Sequence, residues 1–356
     1  MNVRILAYFV LLALATVHSA AEDSVVVSWS ASADIFLSSS FNKPSNHQRA
    51  YTTQPSRNNE IGLMLASIGL SVSGPNYRGR VALQEGWFAR ANYSGLDSSW
   101  RMLQEANVGV RVADGLWLDA GVMFSHIGYE SMIGRNNLTL SRSFTADYTP
   151  YYSTGAALAW TVSDVVSVTG LVLNGWQQIV DINNDLAFGA RVVVTPSSTL
   201  SFNWSTFVGN EQARGTASMV RFHNNFWVEW KATDRIIIVG LADVCLQDTP
   251  ADTSTKQWYA GVTAAYSPSD QFRIATRVEH YNDPANMFIA TPTRGPFQAS
   301  AASLNLDYRP NDAVLVRGEI RTMIAGEKVF PSHDGLKSSD TYITVSTSIA
   351  FGGNLY

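Results

Sequence analysis

Charged side chains occupy every second position of a segment near the carboxyl end of the chain. Arg317, Glu319 and Arg321 alternate there with apolar or small residues. Successive side chains of an extended strand point to opposite faces, so these three charges share one face. Such a face suits a water-filled passage, where spaced charges set the field that a solute meets. The alternative is a row of salt bridges that only stabilises a wall.

A second group of residues that could carry out chemistry is Ser125-His126 followed by Glu130. These are residue types found in hydrolase active sites. Neighbours on a strand point in opposite directions, which argues against a hydrogen bond between Ser125 and His126. No nucleophile elbow, glycine-rich phosphate loop or histidine pair with ligand spacing accompanies them. We therefore predict no catalytic residue, no metal and no cofactor, with a barrel-embedded hydrolase as a remote alternative.

The elements that must position these charges are predicted as strands with one apolar face. Within residues 105–112, Ala106, Val108 and Val110 fall on one face and Asn107 on the other. The same alternation recurs in residues 200–206, 303–309, 316–321 and 342–351. Alternation by itself does not decide whether the apolar face meets a protein core or lipid.

Short motifs of Pro, Ser, Asn, Asp and Gly interrupt the alternating segments. About seven occur, at residues 73–76, 113–115, 162–164, 196–198, 232–234, 268–270 and 310–312. Their spacing leaves room for two strands of about ten residues and a longer loop. Seven turns plus two terminal strands predict an all-β fold, a transmembrane antiparallel up-and-down β-barrel of about sixteen strands. Short periplasmic turns would alternate with long extracellular loops.

Aromatic residues favour lipid outside this barrel. Several end an apolar face just before a turn, and others closely follow a turn: Trp160, Trp230, Tyr266 and Tyr308, then Tyr77, Trp117 and Phe272. Rings gathered at one level are typical of an interfacial girdle. The final strand also ends in aromatics, and either Phe351 or Tyr356 would serve as the terminal assembly signal.

The composition and the amino-terminal residues limit which classes of protein are possible. Only 15% of residues are charged and 46% are apolar, yet no segment after the amino end has the roughly 18 uninterrupted apolar residues of a transmembrane helix. Residues 1–21 are predicted to be a cleaved signal peptide, and residues 22–356 a single barrel domain. The formal net charge of −4 gives no indication of a nucleic-acid partner, and the single cysteine, Cys245, cannot form an intramolecular disulfide.

The inward phases of the predicted strands supply the candidate pore-lining residues: Arg78, Arg80, Gln84, Arg90, Arg111, Arg221, His223, Glu229, Arg273, Arg277, Glu279, Asp307, Arg309, Arg317, Glu319 and Arg321. Residues 126–143 form a long loop that carries apolar residues a fully solvated loop would not need. We predict that it folds inward as a constriction, and its candidate residues are Ile127, Tyr129, Glu130, Arg135 and Arg142.

Short stretches spread over nearly the whole chain carry a resemblance. The most specific is residues 125–131, Ser-His-Ile-Gly-Tyr-Glu-Ser, and the others are residues 41–46, 82–84, 118–121, 150–152, 172–176, 207–210 and 306–310. Together they resemble the OmpL-like family of outer-membrane β-barrel porins. The resemblance implies a barrel with porin-like activity, and it supports fold more than substrate. The chain differs from the family pattern at Glu85. Simple alternation would point this carboxylate at lipid, which is unfavourable unless a bulge or a position at the loop rim brings it to water.

These patterns together predict a bacterial outer-membrane porin that passes small hydrophilic solutes by passive diffusion. The alternative is a non-conducting outer-membrane barrel with a structural or adhesive role. The expected partners are outer-membrane lipids, the barrel assembly machinery, the solutes and, as is common for barrels of this size, two further copies in a homotrimer. Solute specificity and whether the lumen is open or plugged stay undetermined by sequence.

Overall fold

The computed structural model describes residues 25–93, 96–248 and 254–355. The predicted signal peptide and Tyr356 lie outside these residues. The barrel strands are β1 Val26–Ser40, β2 Ile61–Ser73, β3 Tyr77–Glu85, β4 Leu103–Ala113, β5 Leu116–Phe124, β6 Tyr152–Thr161, β7 Val166–Leu173, β8 Ala187–Ser197, β9 Leu200–Asn210, β10 Val220–Thr233, β11 Ile236–Gln247, β12 Thr255–Tyr266, β13 Phe272–Asp283, β14 Phe297–Tyr308, β15 Val314–Ala325 and β18 Ser339–Asn354.

The remaining elements are short and lie in loops. They are α1 Trp87–Asn92, α2 Ser98–Arg101, α3 Phe144–Tyr148, a 3₁₀ turn at Gly134–Asn136, and a hairpin of β16 Phe330–Ser332 with β17 Gly335–Lys337. Within the described ranges no helix is both long enough and apolar enough to cross a membrane.

The sixteen long strands form one closed antiparallel barrel, which confirms the predicted fold class and strand number. Closure is made by β1 and β18, whose register runs from Ser28 opposite Asn354 to Ser40 opposite Tyr342. All seven predicted turn motifs lie at short connections between consecutive strands, and both ends of the barrel sequence lie at that rim. We call this rim the turn side and the opposite rim the loop side.

The two faces of the wall differ as alternation predicts. On β4, Val108 is 69% exposed and Val110 is 51% exposed on the outer face, while Glu105 is buried inside. Most of the predicted girdle is present: Trp160, Trp230, Tyr266, Tyr308, Tyr77 and Phe272 are exposed near the turn side. Trp117 is an exception, because it pairs with Arg111 and lies on the inner face under the Arg78 guanidinium, 4.4 Å from its ring centre.

Two glycines break the alternation on β5 and β6. Gly121 and Gly155 pair directly, with φ of +128° and +155°. A Cβ on Gly121 would lie about 2 Å from a carbonyl oxygen of β4, and one on Gly155 about 2 Å from a carbonyl oxygen of β7, so only glycine fits. Beyond this pair Val122 is buried, although alternation would place it outside with Ala120. Val122 therefore gives the connection between β5 and β6 an apolar surface to pack against inside the barrel.

The largest buried apolar clusters lie within the barrel. One joins Phe144 to the inner faces of β11 to β18 and includes Tyr259, Tyr281 and Phe297. A second joins Met132 and Tyr151 to the wall near β4 to β6 and to helix α1. Both clusters are centred on the connection between β5 and β6, which therefore fills space that an empty barrel would leave to water.

Candidate pore and its inward-folded loop

Loop L3, residues 125–151, connects β5 to β6 and lies inside the barrel. His126 Nε2 is 2.9 Å from the Thr206 carbonyl oxygen on β9. The backbone N–H of Gly128 donates to Asn225 Oδ1 on β10 at 3.2 Å. Arg135 Nη1 donates to the Ala313 carbonyl at 3.1 Å, in the turn that joins β14 to β15. The loop thus crosses the lumen from one wall to another and reaches the turn side.

Four inward arginines of β13 and β15, which we call the arginine clasp, hold the middle of L3. They are Arg273, Arg277, Arg317 and Arg321. Arg277 donates to Thr139 Oγ1 at 2.7 Å and to the Ser141 and Arg142 carbonyls at 2.9 and 3.0 Å. Because guanidinium groups present several donors in a rigid plane, one arginine fixes a length of loop backbone.

The other members of the clasp act on neighbouring parts of the loop. Arg317 donates to the Gly134 and Asn137 carbonyls, both at 2.9 Å. Arg321 donates to the Arg142 carbonyl at 2.7 Å. Arg273 donates to the Asn137 carbonyl at 3.0 Å. The loop therefore follows the inner wall of β13 to β15 over residues 134–142.

Acidic residues of the same wall accept hydrogen bonds from backbone N–H groups of L3. Glu279 accepts a hydrogen bond from the Phe144 N–H at 2.8 Å and pairs with Arg321 at 2.6 Å. Glu319 accepts one from the Ser141 N–H at 2.7 Å. Buried charges persist only when they are paired and hydrogen-bonded. The alternating charges of these strands meet that condition largely through contacts with the loop.

Residues of L3 itself also favour its position against the inner wall. Ser143 caps helix α3, its Oγ accepting from the Ala146 N–H at 3.2 Å. The cap directs Phe144 into the wall, where its ring centre lies 6.0 Å from that of Tyr281 and 5.8 Å from that of Phe297. Arg142, one of the predicted constriction residues, lies over the Tyr151 ring at 4.4 Å.

The remaining predicted constriction residues also lie inside the barrel. Ile127 packs in a cluster with the inner faces of β6 to β9. Tyr129 donates to Glu229 at 2.6 Å, and both burial and this carboxylate raise the tyrosine's pKa. Glu130 pairs with Arg277 at 3.2 Å. Whether these residues constrict conduction stays a prediction.

The residues that a hydrolase would need are engaged separately. Ser125 Oγ accepts from the Ile127 N–H at 3.1 Å, and His126 Nε2 lies against the Thr206 carbonyl. Burial lowers the pKa of His126 to about 4, so it is neutral at physiological pH. Gly189 faces this imidazole, and a Cβ there would lie 2.7 Å from Nε2. The arrangement gives the histidine a fixed packing position in the wall of β8 and β9.

The inner face near the turn side is more open. Arg78 pairs with Asp119 at 2.6 Å, and Arg80 pairs with Glu105 at 2.6 Å, each between nearby strands. Arg80 also donates to Ser71 Oγ at 2.8 Å. The two arginine side chains are 41% and 29% exposed, so water reaches them. Arg78 and Arg80 thus lie on the inner face, as the pattern predicted.

Other predicted pore-lining residues take varied positions on the inner face. Gln84 donates to backbone carbonyls at the loop side, and Arg221 donates to Gln247 at 2.8 Å. His223 is fully buried, 4.0 Å from an oxygen of Asp243. Asp307 pairs with Arg317 at 2.8 Å. Two further arginines lie at the turn side: Arg111, paired with Asp114, and Arg309, in the turn after β14.

The prediction for Arg90 is wrong. Strand β3 ends at Glu85, because Gly86 with φ of +139° turns the chain into helix α1. Arg90 lies on that helix, is 60% exposed, and pairs with Glu85 at 2.8 Å. Glu85 does follow the outer phase of β3, and its position at the loop rim with a cationic partner relieves the cost of an outward charge.

Pattern reasoning missed the first loop. Within residues 41–60, Arg49 is buried against the inner wall, with its guanidinium 3.2 Å from the centre of the Tyr342 ring. Thr53 Oγ1 donates to Asp147 of L3 at 2.6 Å. These loop residues show no strand period, so nothing in the sequence indicated that they enter the barrel.

The comparisons with known proteins agree with this architecture. Residues 26–351 match the model of the family described as "Putative beta-barrel porin-2, OmpL-like", and the chain belongs to that family of outer-membrane porins. A search of curated proteins finds no match.

Solved structures share the fold at low identity. An anion-selective porin from Comamonas acidovorans superposes with a TM-score of 0.63 at 10% identity, covering 92% of this chain and 100% of that one. The outer membrane channel DcaP of Acinetobacter baumannii gives 0.63 at 10% identity, with 93% and 99% covered. OmpF of Salmonella typhi, solved in complex with daunomycin, gives 0.58 at 13% identity, with 92% and 97% covered.

Proposed function

We propose that this outer-membrane porin is a passive diffusion channel for small hydrophilic solutes. The observation that carries the proposal is a closed barrel whose inner face holds ion pairs and hydroxyls while its outer face is apolar. Solute movement needs no chemical step and no cofactor, and selectivity follows from pore width and lining charge. The family membership supports the same conclusion.

Loop L3 makes the channel narrow. It extends from the loop side across the lumen and reaches the turn side at Ala313, so a solute must pass between the loop and the wall or displace the loop. We therefore expect a small unitary conductance rather than that of an empty sixteen-stranded barrel. Purified full-length protein in a planar bilayer tests this: small discrete current steps support the proposal, and a silent bilayer with inserted protein contradicts it.

The filled loop-side half also favours a second candidate, a barrel without a conducting pore that acts in envelope structure or adhesion. The same bilayer recording separates the two functions. A liposome-swelling assay with sugars of increasing size adds a size limit if the channel conducts.

The proposed partners follow from the outer face. Lipids of the outer membrane would cover its apolar band, and residues 1–21 would be cleaved during export. The barrel assembly machinery would recognise the last strand, where Phe351 is exposed outside beside Trp29. A homotrimer is proposed by analogy with barrels of this size, and one solved neighbour, OmpT of Vibrio cholerae, is described in a trimer form. Cross-linking in native membranes tests the trimer.

A further inference from the structure

The inner face where the barrel closes carries a row of hydroxyl groups, interrupted by Phe36, which lies opposite Ser346 and belongs to an apolar cluster with Met64 and Leu140. Ser38 of β1 lies opposite Thr344 of β18, and their hydroxyls are 2.8 Å apart. Ser346 and Ser348 continue the row on β18 toward the turn side. Arg49 of the first loop donates to Ser38 at 3.0 Å. We call this surface, formed by the inner residues of β1 and β18 with Arg49, the closing seam.

Several buried polar atoms beside the closing seam have no hydrogen-bond partner among the described residues. They are Nε and Nη2 of Arg49, Oε1 of Gln54, Oε1 of Glu319 and Nε of Arg321. A buried polar atom left unpaired costs about 1–3 kcal/mol, so a group of them is stable only when water reaches it. Glu319 lies opposite Thr344, and Arg321 lies opposite Tyr342, so these atoms border the hydroxyl row.

Both ends of the closing seam reach a cavity. At the loop side, a cavity of about 400 Å³ is lined by Arg49, Tyr51 and Thr291. At the turn side, a cavity of about 360 Å³ is lined by Ser30, Ser32 and Arg135. Ser32 lies on the inner face of β1, two residues from Asp34, which pairs in register with Ser348. The polar row therefore leads from one cavity toward the other.

Other parts of the inner wall are less suited to a path at this level. The guanidinium groups of the arginine clasp are occupied by L3, because Arg277 and Arg321 donate to loop carbonyl oxygens. The inner faces of β11 to β14 hold the apolar cluster around Phe144. A buried polar group on β10 to β12 is the main rival, since His223, Asp243 and Gln257 each have an unpartnered atom there.

We propose that solutes pass the loop-filled half of the barrel along the closing seam, between L3 and strands β1 and β18, and that the seam takes small uncharged solutes rich in hydroxyl groups. This rests on the proposed channel function. Serine and threonine hydroxyls both donate and accept, so they replace the hydration of such solutes. Within the seam and on the adjoining strand β15, three basic residues, Arg49, Arg317 and Arg321, are balanced by three acidic ones, Asp34, Glu319 and Asp340, so there is little net charge along the row.

Thiol modification during bilayer recording tests the route. Ser346→Cys and Ser348→Cys are each combined with Cys245→Ser and exposed to a small cationic methanethiosulfonate reagent. The matched control is the unaltered protein, whose own Cys245 is equally buried on the inner face of β11, next to the rival polar group. Mass spectrometry records whether each thiol has reacted.

On the proposed route, reaction at position 346 or 348 lowers conductance at least twofold, and the unaltered protein keeps its conductance. Block through Cys245 with no effect at 346 and 348 overturns the proposal in favour of the β10 to β12 wall. Thiols at 346 and 348 that stay unreactive in a conducting protein overturn it as well. A protein that never conducts before reagent is added removes the channel function itself, which distinguishes the two failures.

Discussion

The two halves of the lumen use the same strand pattern in different ways. Toward the turn side, inward charges such as Arg78 and Asp119 pair between strands and remain partly exposed to water. Toward the loop side, inward charges such as Arg277 and Glu279 are buried and bind the backbone of L3. Alternation sets which face a side chain takes, and the loop decides whether that face is wet.

Shortening L3 should have the largest effect. Deleting residues 131–137 removes the part that reaches the Ala313 turn and should raise single-channel conductance several-fold, because the segment occupies the lumen. Deleting residues 180–186, an equally long and largely exposed part of the loop between β7 and β8, is the matched control. Equal conductance in the two deletions would contradict the idea that L3 narrows the pore.

Removing the central arginine should loosen the loop-side half. Arg277→Ala leaves Glu279 and Glu130 without their shared partner inside the barrel, and losing one member of a buried ion pair costs about 3–5 kcal/mol. We expect a lower unfolding midpoint in detergent and noisier, larger currents. Arg235→Ala, at an exposed turn position, is the control. A midpoint that does not move would show that the clasp carries little stability.

Charge selectivity should depend on inward charges that lack an ion-pair partner. Arg191 lies on the inner face of β8, donates to Asn203 at 2.8 Å and has no acidic partner among the described residues. Arg191→Gln should shift the reversal potential toward cations by several millivolts in a salt gradient, since it removes an uncompensated positive charge from the inner face. Arg317→Gln should shift it less, because Asp307 and L3 already engage that guanidinium. The opposite ranking would place the selective field at the wall of β15 that L3 covers.

Acid should weaken one anchor of L3. His126 is held neutral, with its pKa lowered by burial from 6.5 to about 4. A depressed folded-state pKa means that the anchor is fully stable above pH 6.5 and weakens as pH falls toward 4, by at most tenfold per pH unit. Open-state noise should rise across this window, and His126→Gln should flatten the profile. The same rise in His126→Gln would assign it to other groups.

The sequence was informative wherever period two or turn chemistry controlled the structure. The seven turn motifs gave the strand number, and apolar residues in a polar loop indicated that L3 folds inward. Arg90 was misplaced because a single glycine, Gly86, ends β3 earlier than the pattern indicates. Trp117 was misplaced because closeness to a turn does not determine which face a residue takes, and Trp117 shares the inward phase of Asp119 on β5.

Long-range contacts account for what the pattern did not predict. Alternation placed Arg277 and Arg321 on the inner face, but it carries no signal that loop carbonyls 135 to 179 positions away would cover them. Arg49 lies in an aperiodic loop, so its burial on Tyr342 follows only from the closed barrel. Sequence patterns thus specify the wall, and the contents of the lumen depend on which loops reach it.

Hydrogen exchange of the native protein in detergent tests the central claim most directly. The N–H groups of Leu140, Ser141 and Phe144 donate to side chains of Asn305, Glu319 and Glu279 on the wall. We predict that these loop amides exchange as slowly as those of the neighbouring strands and far more slowly than residues 211–219 between β9 and β10. Exchange of L3 as fast as that exposed loop would mean that L3 is not seated in the barrel, and the contrast between the two halves would be wrong.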